Sequence, residues 1–293
     1  MSKLKKAIDR AKEIRNQDVE TVTPRPVKAT VMPAGRTVKT IVPSKAKDKR
    51  KEININYTKS RRINVNPETL KKNRVFTHIH DLEVTDQINL LRAQTLKRLD
   101  EINGNSLMVT SVNPGEGKTF ISVNLCISIA AELDRTVLLV DADLKNPLHK
   151  HFDMSQDFFG FDSHSGLADY LLSEAKIEDL IIHPGIDRLT VLPSGRTLPN
   201  SSELLGSPRM KKLIDEMKNR YKDDRIVVFD CPSLLSISDP LVISKYVDGV
   251  ILVVEMENTK PDDLKRILEL LKDTEVFGTV LNKSKSHRGR TYV

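Results

Sequence analysis

The chain has 293 residues, of which 39% are hydrophobic, 4% are aromatic and none is tryptophan, and its formal net charge is +7. That length holds one or two domains, but the charge is uneven: residues 1–80 carry +14 and residues 81–293 carry −7. The composition therefore describes an acidic body with a basic arm. The absence of aromatic–basic interleaving in the body argues against nucleic-acid binding.

Near the N-terminus, Leu4, Ala7, Ile8, Ala11 and Ile14 share one face of a short basic amphipathic helix. Such a helix can dock on a partner, lie on an anionic lipid surface, or stay solvated. From Gln17 to about Lys72 there are five prolines, scattered lysines and no sustained period, the composition of a flexible tether; the β-like patch Ile53–Tyr57 does not change this. Order is expected from about Val75, with Asp86–Ile102 as a helix. The expected organisation is thus a basic arm over 1–74, a folded domain over 75–283 and a basic tail over 284–293. No run of about eighteen apolar residues is present, so nothing is expected to span a bilayer. The N-terminus lacks an apolar signal core, and Cys126 and Cys231 read as buried thiols of a reducing cytosol. A cytoplasmic location is the expectation, with contact to the inner membrane face through residues 1–80.

Beyond the helix, apolar runs at Leu107–Val109, Val137–Val140, Leu189–Leu192, Ile226–Phe229, Val250–Val254 and Val276–Leu281 alternate with helix-period stretches. Those stretches are Phe120–Leu133, Met210–Tyr221, Pro240–Val247 and Pro261–Leu271. Continuous apolar strands alternating with helices predict an α/β fold, a mostly parallel sheet covered on both faces. Ligands of such sheets bind beyond the carboxyl ends of the strands, so the residues following each run matter most.

After the first run comes Ser111-Val-Asn-Pro-Gly-Glu-Gly-Lys118-Thr119. Strand, glycine-bearing loop and helix together aim backbone N–H groups and a helix N-terminus into one concavity suited to polyphosphate. Lys118 would reach the outer phosphates and the Thr119 hydroxyl would ligate Mg²⁺. Pro114, Gly115, Glu116, Gly117, Lys118, Thr119 and Phe120 line that expected ATP cradle. The run Val137–Val140 delivers Asp141 and Asp143, two carboxylates placed for Mg²⁺ ligation and for accepting a proton from an attacking hydroxyl; an Asp-rich turn capping the next element would look the same. Ile226–Phe229 delivers Asp230-Cys231-Pro232, with Asp230 on the metal side.

The loop departs from G-x-x-x-x-G-K-[ST] at Val112, and Asn113 stands where partitioning and division-site ATPases carry a second lysine. This form, with the double-Asp and Asp-x-Pro strands in order, resembles the bacterial tyrosine kinases of capsule and exopolysaccharide synthesis, over roughly residues 80–283. The resemblance includes Pro199–Pro208, which by itself reads as a loop and a helix cap. It implies a P-loop ATPase fold, MgATP, and an adenine-reading role for Asn282. Lys145 stands in the place of a family arginine. Asp86, Asn89 and Arg92 occupy the places of Glu-x-x-Arg-x-x-Arg, the motif by which family members assemble rings, so a homo-oligomer is left open. Family members end in a tyrosine cluster; here Tyr292 is the lone C-terminal candidate acceptor. The implied activity is ATP-dependent protein-tyrosine autophosphorylation regulating polysaccharide polymerisation and export, with an integral-membrane co-polymerase as partner. The alternative is a P-loop ATPase acting as a nucleotide-gated module of the same membrane complex, without tyrosine transfer.

Overall fold

The computed structural model describes residues 61–63, 65, 67–75, 82–145, 165–220 and 224–284. All belong to the unit Lys49–Val293. The amphipathic stripe Leu4–Ile14, the patch Ile53–Tyr57, Tyr221 and Tyr292 lie outside these residues.

In chain order the elements are β1 (Arg61–Arg62), α1 (Pro67–Lys72), α2 (Leu82–Glu101), β2 (Ser106–Ser111), α3 (Lys118–Ala130), β3 (Thr136–Asp141), α4 (Leu167–Leu171), α5 (Ile177–Leu180), β4 (Ile182–His183), β5 (Leu189–Leu192), α6 (Ser201–Leu205), α7 (Pro208–Arg220), β6 (Arg225–Asp230), α8 (Asp239–Ile243), β7 (Gly249–Glu255), α9 (Pro261–Leu270) and β8 (Val276–Asn282). The strands form one sheet in the order β1-β4-β5-β3-β6-β2-β7-β8. From β5 to β8 every pairing is parallel; β4 runs antiparallel to β5, and β1 is parallel to β4. The mostly parallel sheet expected from the sequence is the observed one.

Why the strands read as unbroken apolar runs is visible in their packing. Successive side chains of a strand point to opposite faces. Met108, Leu138, Val140, Val227 and Phe229 enter one core cluster, while Leu107, Val109, Val137, Leu139, Ile226 and Val228 enter the other. Helices cover both faces, so neither set meets water. On the first face α7 contributes Met210, Leu213, Ile214 and Met217, the i, i+3, i+4, i+7 stripe of an amphipathic helix. On the second, every residue of α3 from Ile121 to Ala130 is buried, because α2 lies over it as an outer layer.

Several boundaries differ from the sequence reading. Order does not wait for Val75: β1 joins the sheet edge through β4, and α1 buries Leu70, so residues 61–72 belong to the body rather than to a tether. Their Arg- and Lys-rich composition hid the apolar anchor Leu70, which packs with Val75 into the second cluster. The helix expected at Asp86–Ile102 begins four residues earlier, at Leu82. The stretch Phe120–Leu133 is helical over Lys118–Ala130. The stretch Pro240–Val247 is a single short helix, α8, followed by turns, so Tyr246 is not helical. Pro199–Pro208 contains the short helix α6. Among the described residues no helix is long and apolar enough to cross a membrane.

Candidate nucleotide and phosphoryl-transfer site

The chain leaves β2 at Ser111 and enters α3 at Lys118 through a loop with two left-handed glycines, Gly115 at φ 80° and Gly117 at φ 96°. A side chain at Gly117 would be strained by that φ and would collide with the Asn282 amide. Among the described residues, nothing accepts from the N–H groups of Gly115, Glu116, Gly117, Lys118 and Thr119. A helix start with unfilled donors and a positive dipole end is an anion cradle. Pro114 and Gly115 are exposed at its rim; Lys118, Thr119 and Phe120 are half-buried, and Phe120 packs against the core beneath.

Three carboxylates stand at the adjoining strand ends. Asp141 and Asp230 are direct neighbours in the β3–β6 ladder, and the N–H of Asp143 donates to Asp141 Oδ1 at 3.1 Å. All three are nearly inaccessible, at 1%, 5% and 1% exposure for Asp141, Asp143 and Asp230. The Thr119 hydroxyl donates to Asp230 Oδ2 at 2.8 Å, and the Ser122 hydroxyl donates to Asp230 Oδ1 at 2.9 Å. A hydroxyl has one hydrogen and two lone pairs, so giving its hydrogen to Asp230 leaves Thr119 Oγ1 able to ligate a cation. Asp230 is thereby placed to orient a ligand at least as much as to be one.

The crowding of negative charge shows at Cys231. Burial pushes its thiol well above the usual range, and the carboxylates of Asp230, Asp143, Asp141 and Asp239 push it further. Burial does the same to Cys126, with Asp230 again adding to it. Both thiols stay protonated and inert, as expected for buried cysteines. Among the described residues no group of three or more His, Cys, Asp or Glu side chains is placed to hold a metal ion by itself. Two strand-end carboxylates, a threonine hydroxyl and an adjacent anion cradle instead suit Mg²⁺, which is commonly held by one or two carboxylates together with substrate phosphates.

The loop after β6 is strapped to β2. Leu234 and Leu235 donate backbone hydrogens to Ser111 and Val112, and the Thr110 hydroxyl donates to Pro232 O at 2.6 Å. Leu198 N–H donates to Leu144 O, which brings the segment before α6 beside the Asp141–Asp143 turn. Lys145 is half-buried just beyond that turn.

Three of the positions singled out in the sequence have partners that pattern reasoning did not foresee. Asn282, expected to face adenine, donates its amide to Glu116 O at 2.8 Å. Asn89 and Arg92, at the ring-motif places, face α3: Ser128 Oγ donates to Asn89 Oδ1 at 2.9 Å, Arg92 donates to Ser128 O at 2.9 Å, and Arg92 pairs with Glu132 at 3.1 Å. Ser122 escaped the sequence reading altogether. Its only signal is a buried polar residue one helical turn after Lys118, on a helix that also carries Asn124 and Ser128.

A protein-family model described as an AAA domain matches residues 106–283. The tyrosine-protein kinase YwqD of Bacillus subtilis (strain 168) is 32% identical over 190 residues, covering 64% of this chain and 76% of that protein. The tyrosine-protein kinase Ptk of Acinetobacter johnsonii is 30% identical over 187 residues, which span 63% of this chain but only 24% of that protein. Among solved structures, the kinase domain of the Escherichia coli tyrosine kinase ETK superposes with a TM-score of 0.62 at 28% identity, over 72% of this chain and 81% of that one. The match takes in β2, the loop, β3, β6 and β8 together, so it covers every element that builds the site. The chain belongs to the AAA-domain family and, within it, to the bacterial tyrosine-protein kinases.

Proposed function

We propose that the protein transfers the γ-phosphoryl group of MgATP to tyrosine hydroxyls, its own or a partner's, in the control of exopolysaccharide or capsule synthesis. The observation that carries this reading is the Thr119–Asp230 hydrogen bond, set beside Asp141 and Asp143 at the mouth of a cradle with unfilled N–H donors. Lys118 reaches the outer phosphates. Thr119 and Asp141 hold Mg²⁺, with Asp230 fixing Thr119 and closing the metal side. The bound metal supplies charge neutralisation for the phosphates. Asp143 accepts the tyrosine proton as the hydroxyl oxygen bonds to the γ-phosphorus and ADP departs. Phosphoryl transfer depends mostly on positioning and charge stabilisation, and this rim is built for both.

Tyr170 is half-buried in α4 beneath the Arg209 guanidinium, 4.4 Å from its ring centre. The acceptor assigned here is Tyr292. The membrane partner is an integral co-polymerase reached through the basic arm. Because β1 and α1 are part of the body, the segment whose removal tests this is 1–60; its deletion leaves ATP turnover intact and releases the protein from membranes. The N-terminal stripe and the arm also favour anionic lipid, at about 1 kcal/mol per nearby basic residue before screening. Asn89 and Arg92 are engaged within the subunit, so assembly through that helix would first have to break the contacts with Ser128 and Glu132.

The deciding experiment is incubation of the purified protein with MgATP followed by phosphotyrosine mapping by mass spectrometry. Phosphate on Tyr292 is the expected result. Release of phosphate to water, with no phosphotyrosine on this protein or on a co-expressed partner, would leave the nucleotide-gated ATPase reading in its place.

A further inference from the structure

Opposite the carboxylates, the phosphate loop is held by a second group of side chains that has no part in the chemistry above. Glu116 is fully buried. Its Oε2 accepts from the Asn113 N–H at 2.9 Å, and its Oε1 accepts from Asn113 Nδ2 at 3.0 Å and from the Thr259 hydroxyl at 2.5 Å. Thr259 lies 143 residues further along, in the turn between β7 and α9. Its oxygen also accepts from the Glu255 N–H at 2.8 Å, so its one hydrogen is directed to Glu116. The end of β8 closes the group through the Asn282 amide on Glu116 O.

We infer that Glu116 and Thr259 form a clasp that holds the phosphate loop in its nucleotide-binding shape, and that Thr259 is a positioning residue for nucleotide affinity. The inference rests on the nucleotide reading of the loop. Its physical basis is the loop's own composition. Two glycines with positive φ lie between Asn113 and Lys118, and glycines lose the most conformational freedom on ordering. A loop that must be ordered by its ligand binds that ligand more weakly than one already ordered. The Glu116 carboxylate turns its lone pairs to Asn113 and Thr259, which leaves the loop N–H groups for phosphate. It also ties the first residues of the loop to the exits of β7 and β8, so three neighbouring strands fix one cradle.

The test measures MgADP affinity by calorimetry in the full-length protein. Thr259→Val keeps the shape and removes the hydroxyl, and it weakens MgADP by about tenfold or more, the effect of losing one hydrogen bond to a charged group. Thr259→Ser restores affinity to within about twofold by the same reasoning. In turnover, Thr259→Val raises KM for ATP and leaves kcat nearly unchanged, because nothing it touches reaches the transferring group. The double variant Glu116→Gln/Thr259→Val loses clearly less than the product of the two single losses, as contacting partners do. Before any nucleotide is added, Thr259→Val also accelerates hydrogen exchange at the Asn113 amide. Unchanged affinity in Thr259→Val, or fully multiplicative losses in the double variant, overturns the clasp. If the wild-type protein binds no MgADP, the nucleotide reading of the cradle fails, while the exchange rate at Asn113 still decides whether the clasp exists.

Discussion

Asp230 at the carboxyl end of β6 and Asp248 just before the amino end of β7 belong to opposite rims of one sheet, and they are partnered in different ways. Asp230 accepts from the neutral hydroxyls of Thr119 and Ser122 and lies beside Asp141 in the ladder. Asp248 accepts from the Asn105 and Ser106 N–H groups and the Ser106 hydroxyl, and it pairs with the Lys218 ammonium at 2.6 Å. At the first rim, three acids are gathered at neighbouring strand ends, and the hydroxyls of Thr119 and Ser122 are among the donors that orient Asp230. At the second, the acid is matched by a cation of the protein's own, and it staples β2 to the turn before β7. Where acids are gathered beside a phosphate loop, function is expected; where a single acid ties two strands to a helix, stability is.

The sharpest break of this contrast is Lys118→Met. It should leave the fold and the thermal midpoint unchanged while lowering nucleotide turnover by roughly a thousandfold or more, as loss of a charge on the transferring phosphates does. Turnover that survives in the folded variant would show that the first rim is not the reaction centre. Asp143→Asn is next. It should bind MgADP nearly as the wild type does and transfer phosphate about a hundredfold to a thousandfold more slowly; a variant that loses affinity but transfers at full rate would remove the assignment of Asp143 as base.

At the other rim the same kind of substitution should act in reverse. Asp248→Ala removes the counter-charge of the Lys218 ammonium, leaving it the Tyr246 carbonyl, and strands two backbone N–H groups, so it should cost about 2–3 kcal/mol in chemical denaturation with kcat per folded molecule unchanged. A loss of kcat at constant stability would erase the distinction between the rims.

The smallest effect concerns pH. Burial raises the Asp248 carboxyl, but the bonds from Lys218, Ser106 and Asn105 outweigh it and hold it below the ordinary aspartate range. Its contribution is therefore complete above the unfolded value, near pH 4, and is lost only as pH falls further, through the folded one. At the sheet edge, burial and then Arg62 lower the His183 imidazole. Keeping it neutral stabilises fully above its unfolded value, near pH 6.5, and that contribution fades as pH falls towards the depressed folded one. Acidification from pH 7 to 5 should thus weaken the β1–β4 edge first and leave the Asp248 staple intact. A His183→Asn variant with the same stability slope over that range as the wild type would place the titration elsewhere.

Much of this was legible in the residues. A strand buried on both faces must be apolar at almost every position, so β2, β3, β5, β6 and β7 announce themselves as runs, and the ends of β3 and β6 point to Asp141, Asp143 and Asp230. The edge strand β8, partly exposed, is the least regular of the runs. The phosphate loop is legible because its geometry needs glycines at fixed places, followed by Lys118 and Thr119. These are local requirements, set within a few residues by backbone sterics and side-chain alternation. What tertiary structure alone decided are the pairings across long separations. No local pattern says that Thr259 bonds to Glu116, that Asn282 turns to the loop backbone, or that Asn89 and Arg92 are taken up by Ser128 of the helix beneath and by Glu132 just after its end. Nor does composition show that Leu70 and Val75 anchor a basic stretch to the core. Each depends on which surfaces the packed sheet brings within hydrogen-bonding or van der Waals reach, a property of the folded whole rather than of any window of sequence.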